Sequence, residues 1–260
     1  MGKPPVNFWP CTSRTANDTS GFPGAIFLTI FSIKKSVKLV IGTLCFFVIP
    51  GALMALTGSL RLLGGAPAIL IPLAAGFGAG LLLYLLLFRK WNWLATFMHE
   101  LSHALVALLF LRRIRSFVVT ARRGGQVRHS EGFGGETGNL LILLAPYYLP
   151  VLFVAAVLCR PLAPTGWFPW YDGAAGFLFA FHLLGNAGEI RQNWTKKQFR
   201  TLTGNRAQTD IGRAGYLFAA LVIAALTFLL YALLFTLLTR GYPGLPGVLT
   251  TVWKYGAATL

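Results

Sequence analysis

The sequence predicts an all-α polytopic membrane protein with about six transmembrane helices and a short β-hairpin-like segment after the third. Of its 260 residues, 55% are hydrophobic and 12% are charged, whereas soluble domains carry about 25% charged residues. Several apolar runs reach the length of roughly 18 residues that a membrane-spanning helix requires. These observations favour a membrane protein over a soluble domain.

The formal net charge of +16 does not predict a nucleic-acid-binding protein, because the basic residues are spread over loops between apolar runs. Positive loops are typical of the cytoplasmic side of a membrane protein, and they favour contact with anionic lipid headgroups in the bilayer. The three cysteines, Cys11, Cys45 and Cys159, show no paired spacing, so neither a disulfide framework nor a cysteine zinc site is expected.

The chain divides into three predicted parts. Residues 1–38 are expected to form a flexible tail with a short interfacial segment at 25–33, and residues 241–260 to form a C-terminal tail. Residues 39–240 are expected to form the transmembrane domain. Its predicted spans are 39–60, 66–88, 94–111, 139–159, 174–187 and 214–238. After the third span, "IRSFVVTA" is β-like and "RRGGQVR" is typical of a hairpin turn with a returning strand.

The third span carries the pattern HExxH, formed by His99, Glu100 and His103. Residues four apart share one face of a helix, so both imidazoles can reach one metal ion. The glutamate beside the first histidine lies close enough to activate water without ligating the metal. Three ionisable groups within five residues of an apolar span are costly unless a metal or another partner stabilises them. The pattern therefore predicts a metal site, and two histidine ligands suit zinc.

A catalytic zinc site needs a third protein ligand, and the sequence offers few candidates. His182 and Glu189 lie around the fifth span, and Asp210 lies at the entry of the sixth. Each has a simpler interpretation. Asp210 in "QTDIG" could cap a helix N-terminus, His182 could pack between spans, and Glu189 could be an interfacial charge at a helix end. The residues alone leave this choice open.

The stretch "FMHELSHALVALLFLRRIRSFVVTARRGGQV" resembles the site-2 protease family of intramembrane zinc metalloproteases, in particular its compact bacterial branch without a PDZ domain. The resemblance covers the motif helix, the basic residues after it and the Gly124-Gly125 turn. It continues more weakly through "LILLAPYYLPVLF". There, Ala145, Pro146 and Tyr147 stand where such proteins often have Ala-Gly-Pro or Ala-Gly-Tyr.

The resemblance implies cleavage of a peptide bond in or next to a membrane-spanning protein substrate, in a bacterial inner membrane. It implies that His99, His103 and Asp210 bind zinc and that Glu100 activates water. Asn186 is then a candidate for bonding the substrate backbone or the oxyanion, or else for a helix–helix hydrogen bond.

Gly124 and Gly125 of the turn are further candidates for substrate binding, because the β-like segment 114–128 could pair with an extended substrate. Two other functions remain open at this point. The chain could be an inactive or structural membrane protein of the same fold, or a zinc hydrolase with a non-peptide substrate.

Overall fold

Helices and two small antiparallel hairpins make up the described part of the chain. The computed structural model describes residues 35–87, 92–120, 124–195, 198–200 and 206–259. The helices are α1 Lys35–Gly64, α2 Pro67–Leu86, α3 Asn92–Leu109, α4 Gly135–Tyr148, α5 Val151–Cys159, α6 Phe168–Thr195, α7 Asp210–Ala214, α8 Tyr216–Arg240 and α9 Leu245–Ala257. The strands are β1 Ile114–Thr120, β2 Gly124–His129, β3 Gln198–Arg200 and β4 Arg206–Gln208. The helical fold class and the hairpin after α3 are therefore confirmed.

Three described helices, α1, α2 and α8, are long and apolar enough to cross a membrane. Helices α4 and α5 pass the same test only together, and they are bent by 81° at the break between them. They form either one broken span or a re-entrant loop. The described residues thus supply three candidate spans, or up to four, and the expected count of about six is not confirmed.

The remaining expected spans correspond to α3 and α6. The apolar part of α3, Trp93–Leu109, is shorter than a span requires. Helix α6 has 28 residues, but His182, Asn186 and Glu189 interrupt its apolar sequence and it is not among the candidate spans. In α6, the polar residues that suggested a functional site therefore also interrupt the apolar length, whereas α3 is simply a short helix.

The two ends of the chain differ in what the structure describes. The expected tail and interfacial segment at residues 1–34 lie outside the described residues, and α1 begins at Lys35. At the other end, the expected C-terminal tail is largely the helix α9, which packs against α1. Val248 of α9 is buried with Ala55 and Ala232. This segment is part of the folded core because its apolar face has a partner helix.

Helices α2 and α6 approach each other closely at glycines. A Cβ atom added at Gly76 would lie 1.8 Å from the carbonyl oxygen of Gly173, and one added at Gly80 would lie 2.7 Å from that of Phe177. Small residues four apart are a common means of close helix packing in membranes, since they let two backbones meet. Gly78 lies between them, and a Cβ added there would meet no atom within 4 Å.

We expect Gly76→Ala and Gly78→Ala to have opposite effects on stability. The first forces α2 and α6 apart and should lower the free energy of unfolding by about 1–3 kcal/mol. The second adds a methyl group without a clash and reduces the conformational freedom that the chain loses on folding. It should raise the free energy of unfolding by about 0.5–1 kcal/mol. Thermal unfolding of both variants in the same detergent measures the difference. Equal destabilisation by the two changes would contradict close packing at Gly76.

Candidate metal centre

The two histidines of the HExxH motif lie side by side on α3. Their Nε2 atoms are 3.1 Å apart and their ring centroids are 4.8 Å apart. Both side chains are mostly buried, with 14% and 13% of their surfaces exposed. The i, i+4 spacing therefore brings one nitrogen of each ring to a common point, as the sequence predicted.

Asp210 is the first residue of α7, and it is not the residue that caps this helix. Thr209 takes that role, since its side-chain oxygen accepts a hydrogen bond from the Gly212 N–H at 3.2 Å. Ile211 is fully buried in the core beside α4 and anchors the short helix. Because Thr209 provides the cap, the Asp210 carboxylate is available to face α3.

The Asp210 carboxylate reaches both histidines. Its Oδ2 atom lies 3.3 Å from His99 Nε2 and 3.7 Å from His103 Nε2. Burial by itself raises the pKa of Asp210. When the two imidazoles are protonated, hydrogen bonds and positive charge from His103 and His99 outweigh this effect, and they hold its pKa well below the ordinary value. The carboxylate is thus ionised and oriented towards the histidine pair.

The outer nitrogens of the two rings have partners on other helices. His99 Nδ1 donates to Glu189 Oε2 of α6 at 2.5 Å, and His103 Nδ1 donates to the Ile142 carbonyl oxygen of α4 at 2.6 Å. A carbonyl or carboxylate oxygen can only accept, so each Nδ1 carries the proton. In the neutral tautomer, each Nε2 is then an acceptor with its lone pair directed at the cluster.

The cluster fits a metal ion in both its chemistry and its spacing. Among the described residues, His99, His103 and Asp210 are the group that could hold a metal, and their ligand atoms lie within 4.8 Å of one another. Ligands at about 2.0–2.1 Å around a tetrahedral zinc ion are roughly 3.4 Å apart, which agrees with the observed separations of 3.1, 3.3 and 3.7 Å. Three converging acceptors repel one another unless a cation lies between them.

Glu100 lies beneath the hairpin. It is 7% exposed, and a Cβ atom added at Gly125 of β2 would lie 2.4 Å from its Cγ atom. Gly125 pairs with Val119 of β1, so the hairpin backbone passes directly over the glutamate. A side chain at this position would displace Glu100, which gives Gly125 a physical role next to the cluster.

The other candidate ligands do not join the cluster. Glu189 contacts the outer nitrogen of His99, which sequence reasoning did not anticipate. His182 lines a cavity of about 50 Å³ that reaches His99, and its buried Nε2 has no hydrogen-bond partner among the described residues. Asn186 lines the same cavity, and its Nδ2 donates to the Tyr147 carbonyl at 2.5 Å. This is the helix–helix hydrogen bond that was one of its two interpretations.

Arg112 is a further residue whose role the sequence did not reveal. It follows α3 in a basic stretch, yet only 2% of it is exposed. It donates hydrogen bonds to the Asn139 side chain and to the Gly135 carbonyl, the latter at 3.1 Å. Arg112 therefore ties the end of α3 to the start of α4, the helix that supplies the Ile142 carbonyl.

We expect Glu189→Gln to weaken metal binding. A neutral amide oxygen can still accept from His99 Nδ1, but it no longer stabilises the ring with a negative charge, and loss of such a partner costs about 10–100-fold in affinity. Zinc affinity measured by chelator competition tests this, with Glu131→Gln as a control because Glu131 is exposed. Equal affinities for both variants and wild type would contradict the assigned role.

Comparison with known proteins agrees with this geometry. Residues 73–184 match the model of a family described as Peptidase M50B-like. The match covers most of α2, then α3, the first hairpin, α4, α5 and part of α6, while Glu189 and Asp210 lie beyond it. No curated protein and no solved structure matches the chain. The resemblance is confirmed over this range: residues 73–184 are similar to the Peptidase M50B-like family, a site-2 protease family, and the apolar helices indicate an integral membrane protein.

Proposed function

We propose that this protein is an intramembrane zinc metalloprotease that hydrolyses a peptide bond in or next to a membrane-spanning protein. The observation that carries the proposal is the convergence of His99 Nε2, His103 Nε2 and Asp210 Oδ2 beside a buried glutamate. A purely structural metal site needs the three ligands but has no need for Glu100. The family match over residues 73–184 supports the same chemistry.

Zinc is the metal we propose, held by His99, His103 and Asp210. Two imidazoles and one carboxylate form a donor set typical of hydrolytic zinc sites. When bound, the ion supplies a Lewis acid that polarises the scissile carbonyl and acidifies water. The hydrogen bonds to Glu189 and the Ile142 carbonyl keep both Nε2 atoms available for this role.

Glu100 is the proposed general base and then the general acid. Its carboxylate accepts a proton from the water molecule whose oxygen attacks the scissile carbonyl carbon. As the carbon–nitrogen bond breaks, the same carboxyl group delivers that proton to the departing amine. The position of Glu100, next to the ligand His99 and against the backbone of Gly125, keeps it close to the reacting atoms.

The hairpin β1–β2 is the proposed substrate-binding edge. A transmembrane helix must unwind before its peptide bond is accessible, and an extended segment can then add to a free strand edge. The hairpin backbone at Gly124 and Gly125 lies over α3, and Gly125 contacts Glu100. A strand added there would place its peptide bonds near the general base. Asn186 remains a candidate substrate contact through its Oδ1 atom, which is buried without a partner in the described structure.

The proposed substrate is a transmembrane protein, and the proposed location is the inner membrane of a bacterium. Exposed apolar surfaces on α1, α2 and α8 suit direct contact with the lipid bilayer, as at Leu39, Ile71 and Leu217. Lys35 is exposed at the start of α1, where it suits contact with lipid headgroups.

We expect Glu100→Gln to keep zinc and to lose peptide-bond cleavage by about 10²–10⁴-fold, the usual contribution of a general base. Asp210→Ala should instead weaken zinc binding, because it removes a ligand. Zinc content is measured on the purified proteins. Cleavage is measured in membranes of expressing cells, by quantifying new protein N-termini that depend on the wild-type chain.

The two variants separate the alternatives. If Glu100→Gln produced the same N-termini as wild type, the proposed role of Glu100 would be wrong. If Asp210→Ala bound zinc normally, the third ligand would be another residue. A wild-type protein without metal would remove the basis for proteolysis altogether. A wild-type protein that bound zinc but produced no new N-terminus would point to a non-peptide substrate.

We expect replacement of residues 114–128 by a flexible linker to abolish cleavage while leaving zinc bound. The linker removes the strand edge that would hold an extended substrate, but it removes none of the three ligands. Zinc content and new N-termini are compared with those of wild type. Unchanged cleavage would contradict substrate pairing with the hairpin.

A further inference from the structure

Helix α4 contains a proline near its end, one turn after a residue that contacts the metal centre. The helix runs over Gly135–Tyr148 and includes Pro146. In an α-helix, the carbonyl of residue i accepts from the N–H of residue i+4. Proline has no N–H, so the Ile142 carbonyl lacks an intrahelical donor at this point.

The carbonyl freed by the proline is the one that orients a histidine of the cluster. His103 Nδ1 donates to the Ile142 oxygen at 2.6 Å. Ile142 is 3% exposed and lies between Leu140 and Leu144, which are fully buried. Water therefore has little access to this carbonyl. A carbonyl buried there without a hydrogen-bond donor would destabilise the fold. The proline removes the helical donor to the Ile142 carbonyl, and His103 donates the hydrogen bond in its place.

An ordinary residue at position 146 would change this arrangement. Its N–H would compete with His103 for the Ile142 oxygen and would close the helical hydrogen bond. Without the proline ring, the turn would also lose the steric opening that exposes the carbonyl. His103 would then lose the acceptor that holds the proton on Nδ1, and its Nε2 would no longer be fixed as the atom facing Asp210.

A second carbonyl of α4 without a helical donor, that of Tyr147, also accepts from a side chain. Leu149 is the C-cap of the helix, and the N–H of Val151 bonds to the Leu149 oxygen, so it does not close a helical bond to Tyr147. The Tyr147 carbonyl accepts instead from Asn186 of α6. The broken end of α4 therefore presents backbone acceptors to side chains of two neighbouring helices, one of which is the motif helix α3.

We propose that Pro146 is a positioning residue of the metal centre, acting through the Ile142 carbonyl on His103. It leaves that carbonyl without a helical donor, and this fixes the tautomer and ring orientation with which His103 binds the ion. The inference rests on the proposed function, because it specifies how the protein prepares one zinc ligand. It also explains how a helix interior can provide an acceptor to a buried imidazole.

The decisive test compares two variants that differ from each other mainly in the N–H at position 146. Pro146→Ala restores the N–H. Incorporation of lactic acid at position 146 gives the same methyl side chain with an ester oxygen in place of the N–H. We expect Pro146→Ala to lower Zn²⁺ and Co²⁺ affinity by about 10–100-fold, the usual effect of losing a ligand's hydrogen-bond partner, and the lactic acid variant to recover most of it. The visible spectrum of bound Co²⁺ should change only in Pro146→Ala.

Pro72→Ala is the matched control, because Pro72 also lies inside a helix, α2, and far along the chain from the cluster. It should leave affinity and spectrum unchanged. Equal affinity of Pro146→Ala and wild type would overturn the inference. So would equal losses in the alanine and lactic acid variants, since the ring shape would then matter and the N–H would not.

A readout on metal-free protein keeps this inference distinct from the proposed function. The ¹⁵N chemical shifts of the His103 ring should report a proton on Nδ1 in wild type and in the lactic acid variant. In Pro146→Ala they should report a mixture of tautomers. A wild-type protein that binds no metal would defeat the proposed protease but would leave this result intact, whereas identical shifts in all variants would defeat the positioning role.

Discussion

Two hydrogen bonds on the outer side of the histidine pair set the requirements for the rest of the structure. His99 Nδ1 donates to Glu189, and His103 Nδ1 donates to the Ile142 carbonyl. Each bond fixes a ring and its proton, so both Nε2 atoms meet Asp210 as acceptors. The acceptors come from α6 and α4, and the carboxylate comes from α7. Four helices must therefore be held in register to within a hydrogen-bond length for these groups to converge.

Buried charges elsewhere hold those helices in place. Arg160, at the end of α5, donates two hydrogen bonds to Asp172 of α6, at 2.6 and 2.9 Å, and Asp172 is 1% exposed. A bidentate pair of this kind fixes direction as well as distance. Arg112 does the same between α3 and α4, and Lys38 of α1 donates to the last carbonyl of α7 at 2.7 Å. Each of these charged groups therefore joins two elements of the bundle.

The apolar runs of the sequence predicted where helices lie but not how each one lies in the membrane. The expected span 139–159 is two helices bent by 81°, because Pro146 and Pro150 remove backbone donors at its centre. Hydropathy averages over such a break and does not detect it. The same averaging treated α3 and the middle of α6 as spans, although their polar side chains face one another across the site. The sequence predicts a C-terminal tail because the apolar stretch there is short. The helix α9 nevertheless packs on α1, which is distant in sequence.

The sequence by itself determined the histidine pair and its glutamate, because residues one turn apart on a helix are neighbours whatever the rest of the chain does. It also limited the third ligand to three candidates, since the chain has few ionisable groups. Only the tertiary structure shows which of them lies at the histidine pair. It brought Asp210 to the pair, gave the cap to Thr209 and directed Glu189 to the far side of His99. The contacts of the two histidines with Ile142, Glu189 and Asp210 join residues from 39 to more than 100 positions apart. The acceptor for His103 is a backbone oxygen that has no side-chain signature. Helical spacing governs one turn, whereas the packing of separate helices fixes which distant groups meet.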